Sequence, residues 1–329
     1  MKIFGIGLSG YIGTVVAEKL QEKGHELIGL ARSEESAELL RSRGITPVMG
    51  KMGDYDVINK AAKEADGAIG LATGGVMTNM MAPGASNNYY LTVTAILDAF
   101  EGTGKPYVQT NGTGFWNGNT KENPGIILTE ELDPHPLYYY AGNLPIYRAM
   151  RASGERGVRG VLVAPAQVYG REGSYIGPVA RCFDCCRKYG AMYTLDPTLG
   201  GVVTYVHVDD LADLFVLAFE KGTPGNLYFG ASDTVITHEM ARAVSRVAGL
   251  KGRIDLATEE KLAELCGPIV VGQFKSKLIA SGEKARRELG WQPSRPGLLE
   301  ELASLEGKVD INEIYPGKTR QRAAEAAKL

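Results

Sequence analysis

Residues 2–13 read KIFGIGLSGYIG, and the reading of this stretch decides the fold. Residues 2–6 are a short apolar run of strand character, and Val15, Val16 and Leu20 beyond them share one helical face. The stretch is a strand, a tight turn and a helix. Gly7, Gly10 and Gly13 stand at GxxGxxG spacing. In a dinucleotide site the first glycine permits the sharp turn, the second lets a pyrophosphate approach the backbone, and the third lets the helix lie close on the strand. Amides of the first helical turn then face the phosphates. Ser9, Tyr11 and Ile12 therefore join the three glycines as expected cofactor contacts. The position after a strand and before a helix is the context that gives the triplet meaning.

The chain has 329 residues, is 44% hydrophobic and carries a formal net charge of −2. That is material for one large α/β domain with a smaller appendage, and it offers no basic surface for nucleic acid. No run of about 18 apolar residues occurs and no charged, apolar leader precedes Met1, so the expectation is a cytoplasmic protein with no membrane partner. Cys182, Cys185, Cys186 and Cys266 do not pair naturally into a disulfide framework and read as reduced thiols. CxxCC lacks a second ligand pair and the four histidines are scattered, so no metal site is expected. Asn111-Gly112-Thr113 has the form of a glycosylation sequon and reads instead as an active-site loop. Ala327-Lys328-Leu329 resembles a peroxisomal targeting tripeptide, which leaves a second location open.

Strands and helices alternate along the chain. A second strand over 25–30 runs into Leu30-Ala31-Arg32-Ser33. An acidic side chain at this strand end holds a free ribose hydroxyl, whereas arginine accommodates a 2′-phosphate, so Arg32, with Ser33, favours NADP. In the other reading Arg32 is solvated and Ser33 is the N-cap of the next helix. Strands follow at 46–49 and 67–71, with a helix over 57–64 between them. Small residues Ala72 and Thr73 then suit a backbone running close under the cofactor. Residues 73–87 form a long connection containing Met77, Met80 and Met81, either an adaptable apolar wall of a substrate pocket or packing under the loop. A fifth strand, 106–110, ends at Thr110 and leads into Asn111-Gly112-Thr113-Gly114-Phe115-Trp116, at the strand end where open α/β sheets place their chemistry.

In this order, the glycine turn, Gly29-Leu30-Ala31-Arg32-Ser33, the 108–110 strand with its Gly/Thr loop, Val168-Tyr169-Gly170, residues 205–212 (YVHVDDLA) and residues 285–291 before Pro293 form a specific series. The chain resembles the extended short-chain dehydrogenases/reductases, in particular their atypical epimerase- or dehydratase-like oxidoreductases. The resemblance implies a doubly wound parallel sheet (Rossmann) with a smaller C-terminal substrate-binding region. The dinucleotide domain is expected over 1–168, with 202–232 returning to it, and the substrate-binding cap over 169–201 and 233–329. The implied chemistry is hydride transfer at a carbonyl or alcohol carbon, with a tyrosine as acid/base, a lysine four residues later lowering its pKa, and Ser/Thr holding the substrate oxygen.

The chain departs from that pattern. Family spacing back from Val168 lands on Tyr138 in Tyr138-Tyr139-Tyr140, but Gly142, Asn143 and Leu144 stand four residues after each. Tyr147 with Arg151 has the spacing, yet arginine is no proton relay, and the pair reads as ordinary helix residues. Lys51 falls where an adenine-contacting Asp is usual, and Gly112 where the hydroxyl often stands, leaving Thr113 as substitute. A tyrosine without the lysine titrates near about 10, so reduction remains open while oxidation slows near neutral pH.

The rest of the chain supplies a helix over 145–156 with Pro145 in its first turn, a strand over 161–164, and a variable region in which Tyr175 is a candidate substrate contact. Asp209-Asp210 invites a metal or acid/base reading, and equally opens a helix through Leu211, Leu214 and Leu217, the preferred reading. The last core strand is 226–230. The resulting expectation is an NADPH-dependent reductase of a small carbonyl compound, with Thr113 and Tyr138 or Tyr140 catalytic and Met77, Phe115, Trp116 and Tyr175 toward the substrate. Its alternatives are a cofactor-retaining epimerase, dehydratase or isomerase, and a non-catalytic NADP-binding redox sensor. Family members often pair through helices of the dinucleotide domain, so a homodimer stays open.

Overall fold

Phe4 and Ile6 of β1 (Lys2–Ile6) join the apolar core on one side of a sheet, and Ile3 joins the core on the other. This is the two-residue period of a strand buried on both faces. The computed structural model describes residues 1–72, 85–137, 141–171, 178–312 and 314. Among them β1 pairs in parallel with β2 (Glu26–Ala31) on one side and β4 (Gly67–Gly70) on the other. β3 (Thr46–Met49) extends the β2 side; β5 (Pro106–Thr110), Arg159–Pro165 and Asn226–Gly230 extend the β4 side, all parallel.

Parallel neighbours need crossover connections, and these are helices that bury apolar stripes on the sheet. α3 (Tyr55–Lys63), α4 (Ala85–Phe100) and the helix Leu144–Arg151 cover one face; α1 (Tyr11–Glu22), α2 (Glu34–Arg41) and the helix Val208–Lys221 cover the other. The sheet is doubly wound, as the residue pattern and the resemblance imply. The strand order reverses between β1 and β4, which opens a crevice at their carboxyl ends.

A second, smaller sheet joins Asp233–Ile236, Val202–His207, Lys277–Ala280 and Ile127–Leu128, with Gln167–Tyr169 also on Val202–His207. Of the stretch 202–232, the strand Val202–His207 thus lies in this sheet, while Val208–Lys221 and Asn226–Gly230 return to the large one. The reason is local: Tyr205 and Val203 bury against the third core, formed by the helices Pro178–Tyr189, Thr237–Val247, Glu259–Cys266 and Pro268–Lys275. The single helix expected over 145–156 is broken. Leu144–Arg151 ends at Ala152, and a 3-10 turn, Ser153–Arg156, follows and closes on Gly157 in the left-handed region. No helix among the described residues is long and apolar enough to cross a membrane.

The outer strand Asn226–Gly230 has no further strand beside it among the described residues. Instead Glu130 is buried beside it and its Oε1 accepts the Phe229 backbone N–H at 2.7 Å. Burial pushes the Glu130 carboxyl above the usual carboxylate range, although the Phe229 amide and Lys284 pull it back. A carboxyl whose folded pKa is raised stabilises the fold fully below its unfolded pKa and loses that contribution as pH rises through the folded value. The urea midpoint of wild type should therefore fall relative to that of Glu130→Gln as pH rises above the usual carboxylate range; a pH-independent difference would refute the buried-charge account.

Candidate functional site

The crevice begins at the glycine turn. Gly7 has φ +88, a conformation that favours glycine, and a Cβ there would stand 2.9 Å from the Ala72 amide nitrogen. A Cβ on Gly13 would stand 2.0 Å from the Gly7 carbonyl oxygen, so α1 seats on the turn by backbone contact. Gly10 is the N-cap of α1 and donates its N–H to the Gly7 carbonyl at 3.0 Å; no side chain caps the helix. Ser9 lies in the turn, and Tyr11, Ile12 and Gly13 open the helix. The first-turn amides and the dipole of a twelve-residue helix face the crevice, which fits a pyrophosphate.

The other expected cofactor residues lie along the same carboxyl edge because all five preceding strands are parallel. Arg32 follows β2, is exposed, and makes no ion pair among the described residues. Ser33 is the N-cap of α2 in a capping box with Ser36, as the second reading of that corner held. Arg32 stays in solvent beside it. Lys51 follows β3 with an exposed side chain, and its backbone N–H donates to Asp54 Oδ2 at 2.8 Å. Ala72 follows β4 and Thr110 ends β5. Thr73, Met77, Met80, Met81, Tyr138, Tyr140 and Tyr175 lie outside the described residues.

Thr113 is buried at the start of the 3-10 turn Thr113–Trp116, directly past the end of β5. Phe115 and Trp116 do not line a substrate wall. They are 1% and 0% exposed, packed against Tyr147 and Phe229 at ring separations of 4.9–6.0 Å, and Trp116 donates its indole N–H to the Leu132 carbonyl at 2.9 Å. A tight turn at a strand end buries its large apolar side chains, and these two complete the core under the helix Leu144–Arg151. Tyr147 belongs to that packing and Arg151 donates to the Gly225 carbonyl, so the pair is structural. Asn143, one of the three residues at the lysine spacing, is buried and its Oδ1 has no hydrogen-bond partner among the described residues.

Asp209 and Asp210 serve the fold, not a metal or an acid/base pair. Both oxygens of Asp209 accept from Arg171, at 3.0 Å from Nε and 2.6 Å from Nη2. Burial alone raises the Asp209 carboxyl, but the Arg171 guanidinium wins and holds it below the usual carboxylate range. Asp210 accepts the backbone N–H groups of Ser294 and Arg295, which fastens the segment after Trp291. Among the described residues no group of three or more His, Cys, Asp or Glu side chains is placed to hold a metal ion.

Two features escape residue-by-residue reading. Tyr11 donates its hydroxyl to the Gly170 carbonyl at 2.6 Å, tying the glycine turn to the Val168-Tyr169-Gly170 corner across 159 residues. Beneath the end of β5, Tyr107 donates to Gln109 Oε1 at 2.5 Å, Gln109 Nε2 to the Tyr89 hydroxyl at 3.0 Å, and Tyr89 to the Thr110 carbonyl at 2.7 Å. Burial pushes both phenols up, so they stay neutral donors. The signal for this network was a glutamine in a fully buried strand, which must find partners.

The profile of the NAD dependent epimerase/dehydratase family matches residues 4–229. An uncharacterized protein of Schizosaccharomyces pombe is 29% identical over 315 residues, covering 92% of this chain and 99% of the relative. The UDP-glucose 4-epimerase of Streptomyces lividans is 26% identical over 324 residues, covering 89% and 91%. Among solved structures, the UDP-glucose 4-epimerase of Thermus thermophilus in complex with NAD superposes with a TM-score of 0.71 at 21% identity, covering 94% of this chain and 100% of that one.

Removal of the Tyr89 hydroxyl takes one buried partner each from the Thr110 carbonyl and the Gln109 amide, leaving them their mutual contact at 3.2 Å. Tyr89→Phe should lower unfolding stability by about 1–3 kcal/mol, against no more than about 0.5 kcal/mol for Tyr90→Phe on the exposed side of α4. Equal denaturant midpoints for the two variants would remove the network from the account of this edge.

Proposed function

We propose, from the premise that the chain belongs to the NAD dependent epimerase/dehydratase family, that it is a cofactor-retaining enzyme acting on an alcohol carbon of a small hydroxylated substrate, such as a nucleotide-linked sugar. The observation that carries this reading is the family match over 4–229, which takes in the glycine turn and the ends of β4 and β5 and runs into the strand Asn226–Gly230. The relatives named UDP-glucose 4-epimerase support the redox-neutral form over net reduction.

Tyr11, Ile12 and Gly13 would hold the pyrophosphate by the backbone amides of the first helical turn, with Gly7 and Gly10 giving the turn room for its approach and Ser9 in the turn. Ala72, at the end of β4, would pass under the ring end, and Lys51 would flank the adenine end. When bound, the nicotinamide supplies a reversible two-electron hydride acceptor. Thr113 orients the substrate oxygen, and a tyrosine of 138–140 takes and returns its proton. Asn143 offers a buried acceptor, Oδ1, at the lysine spacing. Redox-neutral turnover suits a tyrosine lacking the lysine, because the proton removed in one half-reaction is given back in the next. A second reading, net reduction of a ketone or aldehyde by NADPH, rests on Arg32, and a soluble cytoplasmic homodimer is the assembly proposed with either.

Acid-denatured protein should release about one nicotinamide dinucleotide per chain. Incubation with UDP-glucose should change its anomeric proton spectrum with no net change in 340 nm absorbance. Steady loss of NADPH with a ketone, and no released cofactor, would replace this reading by the second.

We further propose NADP as the preferred dinucleotide, because Arg32 stands exposed where an acidic residue would hold a free 2′-hydroxyl. In calorimetric titration NADPH should bind more tightly than NADH, and Arg32→Asp should erase the difference, a loss on the order of tenfold for one charged phosphate contact. A wild-type preference for NADH would overturn the assignment while leaving the fold untouched.

A further inference from the structure

The four cysteines gather in the third core, away from the crevice. Cys182, Cys185 and Cys186 lie on the helix Pro178–Tyr189, and Cys266 ends the helix Glu259–Cys266, which packs against it. Sequence spacing gave no reason to pair any two of them. The fold does: Cys266 Sγ donates to Cys185 Sγ at 2.6 Å, across 81 residues of chain. Both are free thiols.

We propose that Cys185 and Cys266 form a reversible disulfide that fastens the helix Glu259–Cys266 to the helix Pro178–Tyr189. This goes beyond the proposed activity and does not rest on it. Neither of the other two thiols makes a hydrogen bond to Cys266 among the described residues. Cys186 Sγ lies 3.8 Å from Met192 Sδ, and burial pushes its thiol up to about 12. Cys182 is fully buried and pushed well above the usual thiol range. The hydrogen bond from Cys266 instead pulls the Cys185 thiol down against the effect of burial, which makes Cys185 the nucleophile of the pair. Cys266 is 8% exposed against 2% for Cys185 and sits at a helix end beside Gly267, so a small oxidant has an approach to the pair.

Hydrogen peroxide supplies the oxidant. The Cys185 thiolate attacks one peroxide oxygen and the O–O bond breaks, leaving a sulfenic acid and hydroxide, which takes the Cys266 proton to become water. The Cys266 thiolate then attacks the Cys185 sulfur, the S–O bond breaks, and the departing hydroxide takes up the proton that Cys185 had released on ionising. Two thiols lose two electrons to one disulfide, and one peroxide becomes two waters.

The test uses the full chain, reduced and then treated with hydrogen peroxide, followed by trypsin digestion without reductant and mass spectrometry. Residues 182–187 and 262–275 fall in separate peptides, so a bridge joins them, with loss of two hydrogens. The joined peptide should form in wild type, in Cys182→Ser and in Cys186→Ser, vanish in Cys185→Ser, and separate with dithiothreitol. The oxidised protein should also unfold on the order of 5 °C higher than the reduced protein, because the bridge closes a long loop in the unfolded chain. Should Cys185→Ser fail to fold, the fragmentation spectrum of the wild-type joined peptide identifies the bridging cysteine. Recovery of 262–275 unjoined after oxidation, or a bridge from Cys266 to Cys182 or Cys186, would overturn the proposal.

Discussion

The seating of α1 on β1 is the constraint from which the rest of the crevice follows. The contact is backbone on backbone: at Gly13 the Cα lies so close to the Gly7 carbonyl that even a methyl group would be 2.0 Å from it. Because the helix starts this close to the strand, its uncapped first turn opens at the point where the strand order reverses, between β1 and β4. Every other candidate contact is then placed by parallel pairing. Parallel strands end at the same edge, so Arg32, Lys51, Ala72, Thr110 and Thr113 come to one side of the molecule without being near one another in sequence.

That edge is held from below as well as from the side. The chain from Tyr107 through Gln109 and Tyr89 to the Thr110 carbonyl uses three buried polar side chains to fix one strand end. In a medium of low dielectric such a chain stiffens what it joins, and any broken link leaves an unpaired group. From the side, Tyr11 holds Gly170 against the start of α1, and Arg171 is held on Asp209 of the helix Val208–Lys221. Arg171 adopts φ 50, unusual for a side-chain-bearing residue, and also pairs with Glu18 of α1. Asp209, one of the two carboxylates that invited a catalytic reading, is the anchor of this joint, and Asp210 fastens the segment after Trp291 instead.

The helices around the smaller sheet have a core of their own, to which Cys182, Cys185, Cys186 and Cys266 all belong. Free cysteine packs as a small hydrophobe, and its burial there needs no chemistry. The contact between Cys185 and Cys266 adds chemistry to packing, since two thiols in contact are one oxidation away from a covalent link.

The sequence by itself determined the alternation of strands and helices, the glycine turn and the parallel class of the sheet. Each of these is local: a two-residue or 3.6-residue apolar period, or a turn that only glycine makes, is written into consecutive residues. It also placed Thr113 at the end of β5 and weighted Asp209 toward a helix start. It did not determine on which side of the backbone a large side chain at a strand end would be buried, so Phe115 and Trp116 read as pocket residues and are core. Nor did it show that Val202–His207 leaves the large sheet, that Tyr11 meets Gly170, or that Cys185 meets Cys266. Those facts depend on the packing of segments separated by tens to hundreds of residues, and only the tertiary structure, which decides which apolar faces cover one another, brings them together.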